Sequence, residues 1–181
     1  MSTSDRLPIA VRAYTERAKS KPPRSRRGGN DQPSRWSIVF DTETTTDAAQ
    51  QLRFGAYQIR EGDGLAETGL FFDPTLDASE LETLRRFATN HGFECHPLDD
   101  FVHKVLLRIG YDRRGTVVGF NLPFDISRLA MDHAPARRSM RGGFTFKLSK
   151  WKTQPRVRVK HLNRAMALID FAAPGKNETA R

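Results

Sequence analysis

Two acidic residues stand one position apart directly after an apolar run, in the stretch Ile38-Val39-Phe40-Asp41-Thr42-Glu43. β-Branched and aromatic residues favour a strand here, and side chains alternate between the two faces of a strand, so Asp41 and Glu43 point the same way. Two carboxylates on one face repel each other unless a cation neutralises them, and hard oxygen ligands suit Mg²⁺ or Mn²⁺. The alternative is a strand that ends in a solvated turn, with both acids facing water.

A third acid follows a second stretch of this kind. The composition of residues 116–121 predicts a buried strand, and a helix is expected to begin at Leu122-Pro123-Phe124-Asp125, with Pro123 in its first turn. A carboxylate at the start of a helix, just past the end of a strand, lies where open α/β sheets place their ligands. Asp125 is therefore a candidate to meet Asp41 and Glu43 at one edge of a sheet.

The elements that must position these acids alternate in a way typical of an α/β domain. Apolar spacing, turn residues and capping residues predict an antiparallel hairpin, two helices and a later β-rich segment. The expected elements are strands at 35–40, 51–60, 65–72 and 116–121, helices at 77–91 and 97–109 and from 122, and β-segments at 144–148, 156–161 and 165–171. We expect one domain with a mixed central sheet and helices on its faces.

The charge is distributed unevenly along the chain, whose net charge is +9. Residues 1–35 carry a net charge of +6, residues 36–135 of −7 and residues 136–181 of +10. This predicts a disordered basic tail at 1–34, a core at 35–136 and a basic β-rich extension at 137–181. An acidic centre between basic ends suits a polyanion that is bound at its flanks, although basic ends can also serve solubility alone.

One strand of the basic extension carries its charge on a single face. Arg156, Arg158 and Lys160 alternate with Val157 and Val159, so this ladder could follow a phosphate backbone, with the nearby aromatic residues stacking on bases. The alternative is a half-exposed hairpin whose basic side chains protect an edge.

Composition argues against secreted and membrane-spanning classes. Cys95 is the only cysteine, which precludes an internal disulfide and fits a reducing, cytoplasmic location. No apolar run approaches the ~20 residues of a membrane span, and the first residues lack the apolar segment of a secretory signal. We therefore expect no membrane partner.

The stretches FDTETT and GFNLPFD together resemble the first two motifs of the DEDD 3′–5′ exonucleases, the proofreading and ribonuclease members of the RNase H-like superfamily. Asp41 and Glu43 match the Asp-x-Glu of the first motif, and Asn121, Phe124 and Asp125 match the Asn-x-x-Phe-Asp of the second. The resemblance covers about residues 36–133. It implies an RNase H-like three-layer fold and hydrolysis of phosphodiester bonds at a single-stranded end of DNA or RNA.

The resemblance also implies a role for each acid. Two Mg²⁺ or Mn²⁺ ions would activate a water and stabilise the leaving oxygen. Asp41 would bridge both ions, Glu43 would hold the ion on the side of the nucleophile, and Asp125 would hold the other.

Four further residues take substrate-binding roles from the same resemblance. Thr42 and Thr44 would offer backbone groups near the terminal nucleotide. Asn121 would fix the loop, and Phe124 would pack under the site or stack on a base.

One part of the family pattern is missing. A fourth acid is expected on a later helix, preceded by His or Tyr four or five positions earlier, and no such pattern follows Asp125. Asp170 lies in a stretch that predicts a strand, and Glu178 lies in a polar tail. We therefore expect weak or absent exonuclease activity. Two alternatives stay open: a non-catalytic nucleic-acid-binding module on this scaffold, and a fragment of a larger replication or repair protein.

Overall fold

A computed structural model of the chain describes residues 33–164 and 166–174. The predicted basic tail lies outside them except for its last two residues. The strands are β1 (Trp36–Thr44), β2 (Leu52–Glu61), β3 (Gly64–Phe72), β4 (Glu94–Pro97), β5 (Thr116–Val118), β6 (Asp132–Pro135), β7 (Phe144–Lys147), β8 (Arg156–His161) and β9 (Ala167–Ala172). The helices are α1 (Ala78–His91), α2 (Leu98–Asp100), which continues as a π-helix (Phe101–Asp112), and α3 (Leu122–Arg128), with a 3₁₀ turn at Arg138–Met140.

The first sheet is mixed, as predicted. Its strand order is β4-β3-β2-β1-β5. β2 pairs antiparallel with both β1 and β3, whereas β4 and β5 run parallel to their neighbours β3 and β1. The turn between β2 and β3 contains Gly62 at a φ of 59°, a backbone conformation that glycine adopts without strain.

Helices cover both faces of this sheet. Phe71 and Phe72 are neighbours in β3 and point to opposite faces. The Phe71 ring stacks on Phe101 of the π-helix with 3.8 Å between centroids, whereas the guanidinium of Arg85 in α1 lies over the Phe72 ring. The first sheet is therefore the middle layer between α1 and the π-helix.

A second, fully antiparallel sheet has the order β6-β7-β8-β9. It begins at Asp132, inside the range predicted for the core. Val157 and Val159 of β8 are buried and belong to the same hydrophobic cluster as Ile38 and Phe40 of β1. The two sheets therefore share one core.

The structure differs from the sequence prediction at three elements. The predicted buried strand at 116–121 is only β5 (Thr116–Val118). Val118 is exposed because, among the strands that the structure describes, β5 lies at the edge of the sheet and pairs with β1 alone. β4 and β6 were not predicted; each is four residues long and ends in proline.

None of the helices in the described residues is long and apolar enough to cross a membrane.

Candidate functional site

Strand β1, which lies between β2 and β5, presents its polar residues on two different faces. Ile38, Phe40 and Thr42 are buried against the π-helix side, whereas Asp41 and Glu43 are exposed on the other face. This is the alternation that the sequence predicts for the two acids. The buried position of Thr42 places a hydroxyl group at the end of the apolar row, where a polar partner is required.

A close backbone approach brings the second stretch against β1. The chain leaves β5 through Gly119, where a Cβ would lie 3.0 Å from the carbonyl oxygen of Phe40 and 2.7 Å from Leu122 Cδ2. α3 then begins, with the amide of Asp125 donating to the carbonyl oxygen of Asn121 at 3.0 Å. The side chain of Asp125 is thereby turned into the protein and is only 2% exposed.

Thr42 and Asp125 form a buried hydrogen bond between the two predicted stretches. Thr42 Oγ1 donates to Asp125 Oδ1 at 2.7 Å, while Asp125 Oδ2 is buried and has no hydrogen-bond partner among the described residues. Burial raises the pKa of Asp125, the hydrogen bond from Thr42 opposes this change, and the nearby negative charge of Asp41 raises the pKa further.

The three predicted metal ligands do not assemble into one cluster. Across residues 33–164 and 166–174, no three His, Cys, Asp or Glu side chains lie together in a way that could hold a metal ion. Asp41 and Glu43 leave β1 on the face opposite to Thr42, the residue that binds Asp125. The structure therefore joins Asp125 to the strand through Thr42, a contact that was not predicted.

The remaining predicted substrate-binding residues flank this contact. Thr44 is half-buried at the end of β1, and Asn121 is exposed and makes no side-chain capping hydrogen bond to α3. Phe124 is half-buried with the guanidinium of Arg128 over its ring at 4.8 Å, which is a packing arrangement.

Sequence reasoning overlooked Arg128. Its Nη1 donates to the carbonyl oxygens of Ala49 and Gln50, at 3.2 and 2.8 Å, and so attaches α3 to the loop that follows β1. The sequence indicates only that a basic residue lies in the last turn of a helix, which is a common feature and does not identify a functional residue. Arg128 fixes both halves of the candidate site relative to each other.

The basic ladder on β8 lies on the face away from the core. Arg158 donates from Nε and Nη2 to the two carboxylate oxygens of Asp170 on β9, at 2.8 and 2.5 Å, and this hydrogen-bonded pair raises the pKa of Arg158. Arg156 is exposed and Lys160 is half-buried on the same strand face. Asp170 lies in a strand, as predicted, and its carboxylate is engaged by Arg158.

Comparisons with protein-family models, with curated proteins and with solved structures find no match for this chain. The resemblance to the DEDD exonucleases therefore depends on two short sequence motifs alone.

Proposed function

We propose that this chain is a divalent-metal-dependent nuclease of the DEDD 3′–5′ exonuclease type, acting in the cytoplasm on a single-stranded end of DNA or RNA. The observation that carries the proposal is Asp125 Oδ2, a buried carboxylate oxygen for which the described residues offer no hydrogen-bond partner, with the negative charge of Asp41 nearby. A buried charge without a partner is costly, and a second negative charge nearby adds to the cost. A bound cation would remove both penalties.

The residues present fit a divalent ion in the type of their ligand atoms only. Carboxylate oxygens such as those of Asp41, Glu43 and Asp125 are the ligands that Mg²⁺ and Mn²⁺ prefer. In the described residues these three acids do not lie together, because Asp41 and Glu43 occupy the face of β1 opposite to the Thr42–Asp125 contact, so an ion held by all three would require them to approach one another. When bound, divalent ions in such a site supply an activated water and stabilise the leaving oxygen.

The chain's own residues prepare the site for this chemistry. Thr42 fixes one oxygen of Asp125 by its hydrogen bond, and in the described residues the second oxygen is buried without a hydrogen-bond partner. Arg128 holds the loop after β1 against α3, so the acids of β1 and α3 keep one relative position. The parallel pairing of β1 with β5 supports an RNase H-like arrangement of the mixed sheet. Asp41 and Glu43 lie in β1, and Asp125 follows the neighbouring strand β5.

We expect the activity to be weak. Asp170 is paired with Arg158 in the second sheet and does not serve as the fourth acid. The absence of a general base at the expected spacing removes about 10²–10⁴ in rate. Mn²⁺, which tolerates irregular ligand sets, should support more cleavage than Mg²⁺.

The test is nucleotide release from an end-labelled single strand with each metal. Asp41→Ala and Asp125→Asn should abolish release, whereas Asp63→Ala, an exposed acid in the β2–β3 turn, should leave it unchanged. Release that persists in both site variants would refute the assignment.

Metal binding can be measured without cleavage. Mn²⁺ at about 100 times its dissociation constant should stabilise the wild type by about 2.7 kcal/mol, seen as a higher unfolding temperature. Asp125→Asn should lose this shift and Asp63→Ala should keep it. An equal shift in all three proteins would mean that Mn²⁺ binds elsewhere.

A second candidate function is a non-catalytic nucleic-acid-binding module on the same scaffold. The observation that favours it is the separation of Asp41 and Glu43 from the Thr42–Asp125 contact, on opposite faces of β1. Salt-sensitive binding of single strands without release in any metal would select this candidate over the nuclease.

A further inference from the structure

The outer face of the second sheet contains a groove of about 530 Å³. Its location follows from the strand register, since Ala134, Thr145, Arg158 and Asp170 stand directly opposite one another in neighbouring strands and share one face. Val157 and Val159 point the other way, into the core. The groove is therefore separate from the Thr42–Asp125 contact.

Small side chains form the floor of this groove and arginines form its sides. Ala134, Thr145 and Ala172 leave the floor open. Four arginines line the same groove, namely Arg137, Arg138, Arg156 and Arg158. Volumes of 300–1,000 Å³ are typical of sites that enclose a ligand, so this one holds a few backbone units of an extended chain.

The charge of the groove is strongly positive. Asp170 neutralises Arg158 but engages only two of its five N–H groups. Every basic residue that lines the groove is an arginine, and the guanidinium fork matches the geometry of a phosphate group better than an ammonium does.

A smaller pocket of about 90 Å³ continues the groove, because Gln154 and Arg156 line both. It adds Lys147, Lys152 and an aromatic residue, Trp151. The resulting track has guanidinium groups along one part and an indole ring at its end.

Trp151 is held in place although it is 53% exposed. Its ring packs against the imidazole of His103 with 4.3 Å between centroids, and its amide donates to Ser149 Oγ at 3.0 Å. Ser149 Oγ is in turn hydrogen-bonded to His103 Nε2 at 3.1 Å. An aromatic ring that is fixed and half-exposed is a platform on which a nucleobase can stack.

We propose that this groove binds the sugar-phosphate backbone of a single-stranded nucleic acid, with one base stacked on Trp151. The proposal rests on the nucleic-acid substrate of the proposed function but needs neither metal nor cleavage. Arginines and a stacking ring together favour a nucleic acid over an acidic peptide, which offers carboxylates but no bases. Contacts to the sugar-phosphate backbone and stacking of a base on Trp151 do not depend on the base sequence of the nucleic acid.

The experiment uses Trp151 as its own reporter, in EDTA. Trp36→Phe leaves Trp151 as the only tryptophan of the chain. Titration with an oligonucleotide of about 15 thymidines, near the upper site size of single-strand binding folds, should quench the fluorescence of Trp151. Affinity should fall steeply between about 50 and about 200 mM salt because counterions are released from the phosphates.

Variants that remove charge from the groove test the contact surface. Arg138 has a φ of 56°, so Arg138→Gly removes the side chain without strain, and we combine it with Arg137→Ala. Affinity should fall about tenfold and the slope of log affinity against log salt by about two. The matched control Arg86→Ala/Arg108→Ala removes the same charge from exposed positions of α1 and the π-helix and should stay within about twofold.

Each outcome decides the proposal. Quenching that depends on Arg137 and Arg138 supports it, and so does unchanged binding by Asp125→Asn, because the groove does not need the acid site. Equal losses in the control variant, equal binding of poly-glutamate, or saturation by inorganic phosphate at the same affinity would overturn it. Metal-dependent release without groove-dependent binding would overturn the groove alone and leave the proposed nuclease in place.

Discussion

Two glycines make room for the largest rings of the core. Gly55 stands opposite Phe71 and Gly69 stands opposite Tyr57 in the β2–β3 pairing. A Cβ at Gly69 would lie 2.5 Å from the ring of Tyr57, and a Cβ at Gly55 would overlap both Phe71 Cζ and a backbone oxygen of β1. The absence of a side chain at Gly55 therefore lets the ring of Phe71 lie against the backbone of β2.

We therefore expect Gly55→Ala to lower the free energy of unfolding by about 1–3 kcal/mol, the usual cost of an overpacked core. The matched control is Gly64→Ala in β3, where a Cβ would meet its nearest atom at 3.5 Å. Urea unfolding of the three proteins measures the difference. Equal midpoints for the two variants would contradict the packing argument.

Asp125 should make stability depend on pH. Its pKa in the folded protein is raised above the ordinary value of 3.8, mainly by burial, so the folded state holds the proton more tightly than the unfolded state. In EDTA, the stability of the wild type relative to Asp125→Asn should be greatest below pH 3.8. It should decline as the pH rises through the raised pKa.

The measurement is the free energy of unfolding of both proteins across this pH range, with Asp63→Asn as a control at an exposed acid. A difference between wild type and Asp125→Asn that does not change with pH would show that Asp125 titrates normally.

The candidate site shows how far single residues can be predicted. The shared face of Asp41 and Glu43 follows from strand alternation alone. The partner of Asp125 does not, because a hydrogen bond between residues 83 positions apart depends on how α3 packs against β1. The clue was Thr42, a polar residue in line with Ile38 and Phe40 on the buried face.

At the scale of elements, α1 is the part most completely encoded by local sequence. Asp77 caps its first turn by accepting from the amides of Ser79 and Glu80, each at 2.9 Å, and Gly92 ends it at a φ of 65°. The predicted range of 77–91, which was based on capping residues, agrees with the observed helix to within one residue.

We expect Asp77→Ala to lower the free energy of unfolding by about 1 kcal/mol, because two amides lose their acceptor. Asp77→Asn should recover most of the loss, since the amide oxygen of Asn also accepts. Thermal unfolding followed by far-ultraviolet circular dichroism measures both effects. Identical losses in the two variants would point to the charge of Asp77 rather than to its capping hydrogen bonds.

The two strands that were not predicted, β4 and β6, are those whose formation depends on pairing with another strand. β4 and β6 have the sequences ECHP and DHAP, which contain no β-branched residue, and they form only because β3 and β7 offer them a neighbouring edge. The predicted helix at 97–109 is present, and it buries Phe101, Val102, Val105 and Leu106. The spacing of its apolar residues is like that of an α-helix, so the sequence does not reveal the π-helical winding.

At the scale of the whole molecule, the shared core joins the two sheets into one folding unit. Val159 of the second sheet and Ile38 of the first lie in the same buried cluster. A boundary at residue 136, suggested by charge alone, therefore cuts through shared packing.

Two tryptophans allow a test of this cooperativity, because Trp36 is in β1 and Trp151 follows β7. In the single-tryptophan variants Trp36→Phe and Trp151→Phe, we expect one common denaturant midpoint. Val159→Ala should lower the free energy of unfolding by about 2 kcal/mol, for two buried methyl groups, at both reporters. Separate midpoints, or a shift seen only by Trp151, would show that the sheets unfold independently.

The lengths of the outer strands govern how this domain behaves at high concentration. In the described part of the chain, the sheets end in β4, β5, β6 and β9, and the first three have only three or four residues. β9 has six residues and exposes Leu168 and Ile169. An open edge of this length and polarity can template the addition of a foreign strand. Self-association of the folded protein should therefore start at β9, and a lysine at position 168 is the most economical way to suppress it.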